Sequence, residues 1–165
     1  MHFTKVELHN FGIYKGTHEM VLRDSTHNQN ITLIGGFNGR GKTTFHDGVL
    51  LALYGKQART YIQERARSYD KLLIDHINKD ALQKEAYVAV TLVLEDGITL
   101  RVKRAWKQGG VKLEHSLVVE KNGIADKYLA SNWDYYIEEI LPFCIARFFF
   151  FNNEKITQLA DDTSF

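Results

Sequence analysis

The 165-residue chain holds one cysteine, Cys144, and one proline, Pro142. A single cysteine excludes an intrachain disulfide framework and fits a reducing cytoplasm. A single proline rules out a proline-rich linker, and no internal repeat or low-complexity tract breaks the chain. An excess of either charge is lacking as well. The net charge is +1 and the pI about 7.9, so no overall basic field announces nucleic acid, and any such contact must come from a local patch. No apolar run is long enough for a membrane: the longest, residues 142–151, is interrupted by Arg147. The opening "MHFTKVELHNF" alternates like a strand and has no signal-peptide core. With 44% hydrophobic and 25% charged residues, the composition is that of one soluble domain with a proper core.

Periodicity places the elements. Phe3, Val6 and Leu8 fall in a β-rich opening stretch, "NFGIYKG" reads as a turn, and "HEMVL" as a returning strand. "NITLIGG" is a short apolar strand feeding a glycine-rich loop. After it, "TTFHDGVLLALYG" predicts an amphipathic helix on Phe45, Val49, Leu50 and Leu53, stopped at Gly55. Leu72, Leu73 and Ile77 are at helical spacing further on. Then the period changes: "EAYVAVTLVLEDGITLRVKRAW" is two strands joined by Asp96-Gly97, a strong hairpin signal. "VKLEHSLVVE" is another strand, ended by "KNG"; together these form an antiparallel β subdomain. "NWDYYIEEILPF" predicts a helix that Pro142 stops, "CIARFFFFNN" a buried strand, and "EKITQLADD" the start of a helix.

The chemistry sits in "GGFNGRGKTT", residues 35–44. Gly36, Gly41, Lys42 and Thr43 fit G-x-x-x-x-G-K-[ST], a pattern expected by chance in roughly one chain of this length in a hundred. Glycines let successive backbone N–H groups curl around an anion, and the following helix adds its positive end. Lys42 reaches the β and γ phosphates as a point charge, and the Thr43 hydroxyl ligates Mg2+. The fold expected is α/β of the P-loop NTPase type. A whole hairpin precedes the loop, unlike a small-molecule kinase, where the loop's strand comes first. No guanine-recognition signature follows, which argues against a GTPase.

"VELHNFGIYKGTHEMVL", "GGFNGRGKTT" and "FHDGVLLALYG" resemble the N-terminal lobe of SMC-like ABC ATPases, with Asn38 and "LALYG" typical of that group. "ARFFFFNNEKITQLA" and "LYGKQAR" are similar to the DndD family, the ATPases of bacterial DNA phosphorothioation systems. The resemblance runs through essentially the whole chain. It implies an ATP and Mg2+ site built from Gly36, Asn38, Gly39, Arg40, Gly41, Lys42, Thr43 and Thr44. It further implies a C-terminal lobe beyond a coiled coil, and a second copy that sandwiches the nucleotide. DNA and other phosphorothioation proteins are the implied partners, with no membrane. Where the family usually has Asp-Gly, this chain has Asn152-Asn153; Asn152 offers Mg2+ a neutral carbonyl oxygen in place of a carboxylate.

Other parts of such a site are not in the sequence. "VTLVLED" imitates the strand that ends in catalytic acids, but its acids are reversed and run into a hairpin turn, so it reads as a strand end. No LSGG-like signature loop occurs. The resemblance puts these parts in the C-terminal lobe and so implies that the chain is an N-terminal fragment or an early-terminated version, expected to bind ATP and to hydrolyse it poorly. Lys56, Arg59, Arg65 and Arg67 form a basic stretch that is either a DNA-backbone patch or a solvated helix face. "RVKRAWK" is either a DNA contact or the charge that guards a strand edge. The seven histidines show no metal-ligand spacing, and Cys144 reads as inert core. Rival readings are the ATPase of an SMC-like repair nuclease, a small-molecule kinase whose 59–71 segment closes as a lid, and a non-catalytic regulator.

Overall fold

A computed structural model describes residues 1–22, 32–62, 68–109 and 112–149, with the backbone alone for 147–149. Six strands form one antiparallel sheet in the order β2-β1-β3-β4-β5-β6. They are β1 (His2–Phe11), β2 (Tyr14–Val21), β3 (Glu85–Val93), β4 (Thr99–Gln108), β5 (Leu113–Lys121) and β6 (Ile124–Ala125). Helices α1 (Lys42–Tyr54), α2 (Arg59–Ile62), α3 (Tyr69–Asp75), α4 (Lys127–Ser131), α5 (Trp133–Ile140) and α6 (Phe143–Phe149) complete it, with a 3-10 turn over Gly55–Ala58. The opening hairpin and the middle strands join in one continuous sheet. None of the described helices is long and apolar enough to cross a membrane.

Local chemistry explains the turns. Gly97 at φ +83° lets Asp96 accept from the Ile98 N–H, closing the β3–β4 hairpin. Asn122 and Gly123, both at positive φ, close β5 onto β6. The strands alternate because the sheet is covered on one face only. Val6, Leu8, Val88, Val90, Leu92, Leu100, Val102 and Trp106 are buried toward α1. The opposite face carries Lys5, Glu7, Tyr87, Thr91, Arg101, Lys103 and Lys107. At Asn10 (φ 46°) the β1 ladder shifts register, and Phe11 turns into the core against Trp106 and His76.

Four expectations change. Helix α1 is not amphipathic: every residue from Phe45 to Tyr54 is buried, because sheet, α5 and α6 enclose it. Residues 32–36 are not a strand; they pair with none of the described strands, and a segment without a ladder partner leaves its backbone groups unpaired. The phenylalanine run is helical through Phe149. There the carbonyl of Pro142 accepts from the Ile145 and Ala146 N–H groups, and the Glu138 carboxylate accepts from the Phe143 N–H. A short unbroken apolar run carries no period to separate strand from helix. Phe150 and Phe151 lie outside the described residues. Cys144 is exposed, on the outer side of α6, while Ala146 faces the core.

Candidate functional site

The phosphate loop runs from the end of the segment 32–36, which has no regular secondary structure, into α1. Gly39 (φ +75°) and Gly41 (φ +95°) take left-handed backbone that other residues adopt only at a cost. A turn closes between them and Phe37, whose carbonyl accepts from the Arg40 N–H at 3.2 Å. A side chain at Gly39 would meet nothing within 4 Å, and residues 36–40 are all exposed, so the loop stands clear at the surface. Lys42 folds back into it: its ammonium donates to the carbonyls of Gly36 at 2.6 Å and Phe37 at 3.0 Å. An incoming phosphate would compete with these two carbonyls for the ammonium, and wins by adding an anionic acceptor to a donor that is already charged.

Helix α1 starts without competition for an anion. Gly41 is its N-cap and has no side chain to cap it, and no acidic residue stands in the first turn. Phe45 donates the first helical bond to the Gly41 carbonyl at 2.8 Å. Thr43 is exposed at the surface of this turn, and Thr44 is half-buried under the β1–β2 turn. Asn38, Gly39 and Arg40 form the exposed tip of the loop. These residues can cradle phosphates; the donor set is backbone N–H, ammonium and hydroxyl, which also suits a Mg2+-bound polyphosphate.

Around the loop the surface is apolar. Leu33 is 93% exposed and Phe37 85%, and Ile34 is exposed as well. Among the described residues nothing covers them.

Sequence reasoning missed what holds the loop from behind. The β1–β2 turn wedges against it: a side chain at Gly12 would stand 2.4 Å from the Thr44 methyl, and one at Gly41 would stand 2.7 Å from Ile13. The Tyr14 hydroxyl donates to the Gly41 carbonyl at 3.1 Å. Burial raises the Tyr14 phenol above its usual value, so it stays a donor. The turn in turn is bolted down. Gly12 donates to the His76 carbonyl and accepts from the Asn78 side chain, both at 2.7 Å. The "NFGIYKG" signal marked a turn; nothing local in it pointed 27 residues ahead to the loop.

The basic stretches divide. Lys56 is exposed and Arg59 half-buried; Arg65, Arg67 and Asn152 lie outside the described residues. Lys56 stands at a cavity of about 130 Å³ with Tyr69, Arg104 and His115. The second cluster guards no edge, since β4 is an interior strand. Its charges are engaged. Arg101 bonds both oxygens of Glu7, at 3.1 and 3.0 Å, and Glu120 at 3.1 Å. Arg104 donates to the Ala52 carbonyl and to Asp134, and Lys103 lies over the Tyr87 ring. Glu7 and Arg101 meet diagonally across β3, where Ala89 stands opposite Glu7 and Thr91 opposite Arg101, two side chains short enough to leave the reach open. Burial pushes the Glu7 carboxyl up, but Arg101 and Lys5 outweigh it and hold it below the usual carboxylate range. Glu95 and Asp96 are turn residues: Asp96 accepts within the hairpin, and Glu95 pairs with the N-terminus.

A family model described as an AAA domain matches residues 5–161. The chain belongs to the AAA domain family. Its fold is similar to the SMC head domain from Thermotoga maritima, with a TM-score of 0.50 and 18% sequence identity over 86% of this chain. The chain spans 41% of the length of that structure. No curated protein matches it. The AAA chain is thus an α/β P-loop domain shaped like an SMC-like ABC N-terminal lobe, with its antiparallel β unit.

Proposed function

We propose that this AAA chain is the ATP-binding lobe of a DndD-like, SMC-like ATPase that couples ATP binding and hydrolysis to DNA engagement during DNA phosphorothioate modification. The observation that carries ATP binding is the loop itself. Left-handed Gly39 and Gly41, an uncapped helix start and the inward-folded Lys42 ammonium together make an anion cradle. Gly36, Asn38, Gly39, Arg40, Gly41, Lys42, Thr43 and Thr44 would hold the phosphates, with Mg2+ on Thr43 and on Asn152. Magnesium supplies neutralisation of charge on the transferred phosphoryl group when bound.

The exposed Leu33, Ile34 and Phe37 support a dependence on further protein. An apolar segment that leads into a ligand loop without a strand neighbour fits a lobe whose sheet is completed elsewhere. Residues 32–46, the loop and its flanks, contain no acid to polarise water, and the acids of the β3–β4 turn are engaged in that turn and at the N-terminus. Hydrolysis by this chain alone is therefore slow in this reading, and a C-terminal lobe and second copy supply the rest. Lys56 and Arg59 are the described candidates for DNA-backbone contact. Phosphorothioation rests on the likeness of "ARFFFFNNEKI" and "LYGKQAR" to the DndD family.

The test is Mg·ATP binding by the chain and by Lys42→Ala, with phosphate release followed in the same samples. Binding that Lys42→Ala abolishes, with negligible release, is expected. Brisk release by the chain alone would overturn the incomplete-site reading. The phosphorothioation role is tested in the host by iodine cleavage of its DNA after disruption of the gene; cleavage that persists unchanged removes that role.

A further inference from the structure

We propose that Tyr14 is a positioning residue for phosphate binding, acting through the carbonyl of Gly41 to aim the backbone N–H of Lys42. The inference rests on the reading that the loop binds nucleotide. The Gly41 carbonyl receives two donors, the Tyr14 hydroxyl at 3.1 Å and the Phe45 N–H at 2.8 Å. Two donors on one oxygen fix the plane of the peptide joining Gly41 to Lys42. That peptide is trans, so its N–H points opposite to its C=O. Holding the carbonyl toward Tyr14 and the helix therefore turns the Lys42 N–H away from them, toward the open side of the loop. Gly41 has no Cβ and its φ is +95°, so its own side chain does nothing to fix this peptide.

The support is rigid where it needs to be. Tyr14 is the first residue of β2, paired across the turn with Phe11, whose ring is buried against Trp106. The turn between them is tied to α3 and the segment after it through His76 and Asn78. A Cβ at Gly41 would also stand 2.9 Å from the Tyr14 oxygen, so the hydroxyl and the loop fit only because position 41 is glycine.

Tyr14→Phe removes the hydroxyl and leaves the ring. Mg·ATP affinity is measured by calorimetry for the native chain, Tyr14→Phe and Lys42→Ala, and amide hydrogen exchange is recorded on the nucleotide-free chains. Tyr14→Phe is expected to bind about fivefold more weakly, the yield of one ordinary hydrogen bond. Its amides across residues 36–44 should exchange faster while those of β3 and β4 are unchanged. Native affinity in Tyr14→Phe, where Lys42→Ala no longer binds, overturns the inference and leaves the nucleotide site standing. Weaker binding accompanied by faster exchange in β3 and β4 also overturns it, since the hydroxyl would then serve general stability. If Lys42→Ala binds as the native chain does, the nucleotide reading falls and takes this inference with it.

Discussion

Replacing Glu7 by Gln tests how the open face of the sheet is held. Glu7 is 5% exposed and receives three charge-assisted bonds, two from Arg101 and one from Lys5 at 2.9 Å. Breaking a fully buried ion pair costs about 3–5 kcal/mol, because one charge is left stranded. Here the stranded charges are not sealed in. The side chain of Arg101 is 23% exposed and that of Lys5 33%, and Arg101 keeps Glu120, so both rehydrate in part. Gln also keeps one acceptor for Arg101. The cost at neutral pH should therefore be about 2 kcal/mol, or about 4–8 °C in melting temperature for a chain of this size. The pH dependence gives the sharper check. The Glu7 carboxyl is held below its ordinary value of 4.5, so its contribution is complete above that value and is lost as pH falls through the lower, folded-state value. Urea unfolding of the native chain and of Glu7→Gln should differ by the full amount at pH 7 and converge on acidification below 4.5. A gap under about 0.5 kcal/mol at pH 7, the size expected of an exposed pair, would refute the argument, as would a gap that does not change with pH.

The core and α6 give two more expectations. Trp133 is fully buried and donates to the Leu53 carbonyl at 2.7 Å, so Trp133→Ala should cost about 4 kcal/mol in chemical denaturation, and a loss under 1 kcal/mol would mean that α5 does not pack as described. Cys144 is exposed, so the native chain should take up one equivalent of a thiol-reactive dye without denaturant, and protection until unfolding would contradict its placement on α6.

Much of this protein is local and was legible from its sequence. Asp96-Gly97 and Asn122-Gly123 specify hairpins because only such residues take the left-handed backbone the turns need. The helix over Lys42–Tyr54, its stop at Gly55 and the spacing of the phosphate loop follow from the same local rules. The tertiary structure decided whatever depends on distant partners. Whether residues 32–36 pair depends on a neighbouring strand that the segment cannot supply. Whether "CIARFFF" is helix or strand depends on Pro142 and Glu138 at its start and on the core that Ala146 enters. In sequence Arg101 is either a DNA contact or an edge charge; the fold puts β4 inside the sheet and gives Arg101 the partner Glu7, 94 residues away. Tyr14 read as part of a turn until the fold set its hydroxyl on Gly41. A motif fixes its own backbone through glycine, helix start and lysine, but what holds that backbone in place comes from side chains that only folding brings near it.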